Sequence, residues 1–91
     1  MHHIVLTSRY KKFLRKIKNS GRYHISDIEK VVKIIASGKK LDAKYRDHSL
    51  TGNMSGYREC HVKSDLLLVY HLNHNELILV LMDIGSHSDL F

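Results

Sequence analysis

Three apolar runs, Tyr57 to Val62, Leu66 to Leu72 and Leu77 to Met82, follow one another with only a few polar residues between them. Connections that short join antiparallel strands and cannot carry a parallel crossover. In the first run Tyr57, Glu59 and His61 alternate with Arg58, Cys60 and Val62, the pattern of a strand with one face on a core. The second run is apolar on both faces, as in a central strand. Lys63-Ser64 and Asn73-His74-Asn75 are the expected turns.

Ahead of these strands the apolar period changes. Tyr10, Phe13, Leu14 and Ile17 recur at i, i+3, i+4 and i+7, which makes one stripe on a helix. Thr7 or Ser8 can cap it, and Gly21 stops it. Ile28, Val31, Val32 and Ile35 repeat the spacing, Ser26 and Glu29 fit a capping box, and Gly38 is the expected end. His3 to Leu6 reads as a short first strand. Periodicity lapses from Lys39 to Gly56, which reads as a long loop with a short extended piece. Gly85 to Phe91 is a polar tail ending in an aromatic residue. Helices followed by strands define an α+β fold, with two N-terminal helices packed on an antiparallel β-sheet of about four strands. A chain of 91 residues supports one domain, residues 1–91, and no second core.

Composition narrows the function. Residues 1–46 hold 13 Lys or Arg against 3 acids, and residues 47–91 hold 2 against 6. A basic face on the N-terminal half suits a polyanion, and nucleic acid is the commonest one in cytoplasm. The single cysteine excludes an internal disulfide. No apolar run approaches the roughly 20 residues that span a bilayer, and the start lacks the apolar region of a signal peptide. A cytoplasmic protein without a membrane partner is expected.

Eight histidines are the chemical signal. His2 and His3 read as an exposed end, His24 and His74 as solvated turn residues, and His71 as a half-buried strand residue. His48 in the long loop, His61 at the end of a strand and His87 in the tail are less easily explained, and a turn would bring Asp65 beside His61. Cys-x-x-Cys and His-Glu-x-x-His patterns are absent, so zinc is weakly supported. Cys60 alternates with core residues and reads as a small hydrophobe rather than a nucleophile. Acid–base chemistry on RNA fits better. Ribose supplies its own 2′-hydroxyl nucleophile, and imidazoles near neutral pKa can take and give the protons. Histidines scattered without a joint role remain the alternative.

Tyr45-Arg46-Asp47-His48, Gly56-Tyr57-Arg58-Glu59-Cys60-His61, Asp65 to Tyr70, and Gly85-Ser86-His87-Ser88-Asp89-Leu90-Phe91, in that order, resemble the YafQ branch of the RelE toxin superfamily. The resemblance covers most of residues 41–91, and the helical half matches in pattern. It implies a curved antiparallel sheet of microbial-ribonuclease type carrying two N-terminal helices. It also implies a bacterial type II toxin that cuts mRNA in the ribosomal A site; the acid–base chemistry itself calls for no metal or other cofactor. A cognate antitoxin, usually of ribbon-helix-helix type, would neutralise it. His48, His61, Asp65 and His87 would be the catalytic groups. Phe91 would stack on a codon base or anchor the core. Arg9, Lys12, Arg15 and Lys16 of the first helix would meet rRNA phosphates. The sequence departs from the pattern at Asp83, where relatives often carry arginine two positions before the tail glycine. Arg46 and Arg58 are the nearest replacement cations. The alternatives are a toxin-fold module that binds antitoxin or ribosome without cutting, and a plain basic RNA-binding protein.

Overall fold

The computed structural model describes residues 1–90; Phe91, and with it the expected stacking or anchoring role, lies outside the described residues. The elements run β1 (His3–Leu6), α1 (Ser8–Ser20), α2 (Ile25–Ala36), β2 (His48–Ser49), β3 (Arg58–Lys63), β4 (Leu66–Asn73), β5 (Ile78–Gly85) and α3 (His87–Leu90). The strands form one sheet in the order β1-β5-β4-β3-β2. The α+β class and the two-helix half stand as expected, but the sheet has five strands and is mixed. β1 pairs with β5 in parallel, Val5 opposite Val80. The sequence order hides this pairing, because α1 and α2 carry the chain away from β1 before the three antiparallel strands β3, β4 and β5 are made. β2 is the short extended piece inside the long loop, and it adds the fifth strand beside β3.

Thr7 caps α1, its side chain accepting from the Tyr10 amide at 3.0 Å. Gly21 ends the helix in the left-handed region at φ 69°, where a Cβ would be strained. The Ser26 capping box does not form. The N-cap falls two residues earlier, at His24, which makes no side-chain cap bond, so Ser26 is already inside the first turn. Asp27 nevertheless sits where its charge complements the helix dipole.

The helix stripes meet the sheet through Tyr10, Ile17, Ile28, Val31 and Ile35 packed against Cys60, Leu66, Leu68, Leu79, Leu81 and Ile84. Fully burying each such aliphatic side chain stabilises the fold by about 1.5–3 kcal/mol. Cys60 belongs to this core, and burial pushes its thiol up to about 12. Native protein at mildly alkaline pH is therefore expected to resist iodoacetamide while urea-unfolded chain is alkylated to completion. Equal rates in the two states, read by intact mass, would contradict this packing.

Three local expectations change. The β3–β4 turn is Ser64–Asp65 rather than Lys63–Ser64, because β3 continues through Lys63 past a bulge. The β4–β5 turn lengthens to His74–Leu77, since the Asn73 side chain accepts from the Glu76 amide at 3.0 Å and prolongs it. His2 is buried, not an exposed end. Its amide donates to the Ala36 carbonyl at 2.8 Å, and its ring meets His74 edge-on with centroids 5.2 Å apart. Parallel pairing of β1 holds the chain start against the end of α2. His71 is half-buried and satisfied, with Nδ1 2.7 Å from the Gly56 carbonyl.

Candidate active site

The register of the sheet assembles the site. His61 on β3 lies opposite Leu67 on β4, and Leu67 lies opposite Gly85 on β5. His87 follows two residues after Gly85, at the start of α3. Asp65 stands in the turn that joins β3 to β4. His61, Asp65 and His87 accordingly line one cavity of about 480 Å³, together with Ser64, Leu67 and Ser86. His48 does not line it. It pairs with Glu59 on β3, two residues before His61, so it shares the face but stands one step along the strand. Its Nε2 is 3.5 Å from the Glu59 carboxylate, which is 7% exposed.

Local chemistry orients each group. His61 Nδ1 is 3.4 Å from the Ser64 carbonyl, and His48 Nδ1 is 2.7 Å from the Arg46 carbonyl. A carbonyl can only accept, so these contacts favour a proton on Nδ1 of each ring; His61 Nε2 is then left to face the cavity as an acceptor, whereas His48 Nε2 faces the Glu59 carboxylate. The Asp65 carboxylate accepts from the Tyr23 hydroxyl at 2.7 Å, with Arg22 Nη2 at 3.5 Å. That bond to Asp65 raises the Tyr23 phenol above its ordinary pKa and keeps it a donor.

The tail is built by a capping box that the sequence contains as Ser86-x-x-Asp89. The Ser86 amide donates to the Asp89 carboxylate at 3.0 Å, and the Asp89 amide to the Ser86 hydroxyl at 3.2 Å. These bonds hold the Asp89 carboxyl below the usual carboxylate range. His87 is thereby fixed as the first residue of the turn. Gly85 makes room for it, since a Cβ there would come within 3.1 Å of Asp89 Cβ and 3.2 Å of its carboxylate. Gly85→Ala is expected to displace α3 slightly and to lower RNA cleavage about 10-fold or more with the melting transition retained. Parallel rate and melting measurements check this.

Cations surround the site unequally. Arg58 is spent on structure: its guanidinium grips the Asp47 carboxylate through Nε at 3.2 Å and Nη2 at 3.0 Å, and its Nη1 donates to Ser49 Oγ at 2.7 Å. Tyr70 donates its hydroxyl to the same carboxylate. Asp83 does not line the cavity. It is 8% exposed, ion-paired with Arg9 and bonded to the Ile84 amide. Its negative charge is therefore compensated outside the site. Lys16 lies 3.9 Å from Asp89, and Lys12 and Arg15 are exposed on α1. Sequence reasoning missed Glu59, Tyr23 and Arg22. Glu59 alternated in phase with His61 and was legible; the contacts of Asp65 with the α1–α2 turn depend on tertiary packing and were not. Among the described residues, no three His, Cys, Asp or Glu side chains are gathered to hold a metal ion.

The family model "Bacterial toxin of type II toxin-antitoxin system, YafQ" matches residues 2–91, and the chain belongs to that family. It is 31% identical over 84 residues to the mRNA interferase toxin YafQ of Escherichia coli BL21-DE3, covering 88% of each chain. To the K12 protein of that name it is 41% identical over 51 residues, which is 56% of this chain and 53% of that one. Among solved structures, a metal-bound toxin from Helicobacter pylori matches with TM-score 0.93 and 40% identity over 100% of both chains. YafQ in the E. coli DinJ–YafQ complex matches with TM-score 0.85 and 26% identity, over 100% of this chain and 99% of that one.

Proposed function

We propose that this chain is an endoribonuclease toxin that cuts mRNA in the ribosomal A site and is neutralised by a cognate antitoxin. The observation that carries the reading is the single cavity shared by His61, Asp65 and His87. It is supported by relatives named mRNA interferase toxins and by a solved relative in a toxin-antitoxin complex. A base takes the proton of the 2′-hydroxyl, whose oxygen attacks the adjacent phosphorus. The bond from phosphorus to the 5′-oxygen breaks, and an acid protonates that oxygen. The products are a 2′,3′-cyclic phosphate and a 5′-hydroxyl. His87 serves in one proton transfer. Asp65 and His61 supply the other and orient the ribose, with His48 and Glu59 holding charge beside them. Each such group contributes about 10²–10⁴-fold.

Lys12, Arg15 and Lys16 on α1 supply the charge that docks on rRNA phosphates, while Arg9, expected from the sequence to share that task, is taken by Asp83; binding to ribosomes therefore weakens steeply with salt. The purified protein is expected to cut ribosome-bound mRNA well and free RNA poorly, with breaks mapped by primer extension. Equal rates on both would remove the ribosome from the mechanism. Cleavage is also expected to survive EDTA when ribosomes have been stabilised by crosslinking; a loss restored by zinc would contradict the acid–base scheme.

A further inference from the structure

A second cavity, of about 360 Å³, shares His61 and Ser64 with the first. Three elements build its walls: Asp27 and Lys30 from α2, Lys44 and Arg46 from the 3-10 turn Ala43–Tyr45 and the residue after it, and His61 and Lys63 from β3. Four cations thus face one carboxylate. Lys63 takes that carboxylate, its Nζ lying 3.3 Å from Asp27. Lys30, Lys44 and Arg46 have no ion-pair partner among the described residues. Like charges held on one concave surface repel each other, and folding alone gives no return for that cost.

Two backbone devices aim these groups. Arg46 sits in the left-handed region at φ 50° and ψ 40°, which a residue with a Cβ rarely adopts. It is held there because the next residue, Asp47, is gripped by Arg58 and Tyr70, while His48 bonds back to the Arg46 carbonyl. The bulge between His61 and Lys63 turns the end of β3 out of regular register. His61 lines both this cavity and the one that holds Asp65 and His87.

We propose that this groove is a phosphate subsite, in which Lys30, Lys44 and Arg46 hold a backbone phosphate of the RNA in the cavity that adjoins the first at His61 and Ser64. The assignment rests on the endoribonuclease reading and adds to it the path of the strand. Contacts to a phosphate that does not react bind ground state and transition state alike, so they act on KM and leave kcat unchanged.

The test uses the Lys30→Glu/Lys44→Glu variant and short mRNAs loaded on ribosomes, each with one uncharged methylphosphonate at a linkage flanking the cut. Both lysines are exposed, so the variant is expected to melt as the wild type does, which a thermal melt checks. With unmodified mRNA the variant is expected to raise KM about 10-fold at constant kcat. In the wild type, neutralising one particular flanking linkage raises KM by a similar factor; in the variant the same change adds nothing, because the two losses are one contact. Normal wild-type cleavage with an unchanged variant KM, a fall in kcat alone, or fully additive losses at every linkage (the pattern of lysines that touch rRNA instead) overturns the subsite and spares the nuclease reading. Absence of cleavage by the wild type on unmodified mRNA overturns both.

Discussion

Replacement of His87 by alanine is expected to slow RNA cleavage by about 10²–10⁴-fold while the protein melts as the wild type does. The fold survives because the turn that carries His87 is fixed by Ser86 and Asp89, and the imidazole is exposed. The rate falls because this imidazole faces the same cavity as His61 and Asp65. His61→Ala is expected to cost a similar factor. The double variant should lose far less than the product of the two, since proton transfers within one displacement act as a unit. Single-turnover rates on ribosome-bound mRNA, with a thermal melt on each variant, decide this. Full activity in both single variants would end the acid–base scheme.

The second large effect is on stability. Asp47 accepts from Arg58 at two nitrogens and from the Tyr70 hydroxyl, in partly buried surroundings. Burial and the bond to Asp47 both push the Tyr70 hydroxyl far above its ordinary pKa, and Asp47 also raises Arg58. Asp47→Ala leaves both donors without their acceptor and is expected to cost about 2–3 kcal/mol, the exposure of Arg58 keeping the figure low. For a domain of this size that lowers Tm by about 10–20 °C. The Asp47→Ala/Arg58→Ala double variant should cost less than the two singles combined, because the unpaired guanidinium is gone as well. Additive losses would show that the two side chains are independent. The same loss frees the strained Arg46 and the His48 beside it, so cleavage by Asp47→Ala should fall further than its folded fraction.

The parts of the fold that were legible are those with a period. The stripes Tyr10–Ile17 and Ile28–Ile35 and the alternation around Cys60 each name a buried face, and each face is buried as read. The parallel partnership of β1 with β5 was illegible, because a strand of four residues, His3–Leu6, carries no record of which edge it joins. The buried His2 was misread for the same reason. At the site, His61, Asp65 and His87 could be gathered from their motifs and the turn between β3 and β4. Their second partners could not: Tyr23 reaches Asp65 only because the α1–α2 turn folds over the β3–β4 turn. The fate of Asp83 was equally hidden. A charge reversal on β5 looks hostile to RNA until α1 brings Arg9 against it. Arg58, by contrast, looked like an RNA cation and is committed to Asp47.

The chemistry of the cut ends tests the central claim most directly. Attack by the 2′-hydroxyl under the groups of this cavity requires that the upstream fragment carry a 2′,3′-cyclic phosphate and the downstream fragment a 5′-hydroxyl, and that a 2′-deoxy nucleotide at the cut position block the reaction. A downstream fragment bearing a 5′-phosphate, or undiminished cutting of the deoxy substrate, would mean that water rather than ribose is the nucleophile, contradicting the proposed roles of His61, Asp65 and His87.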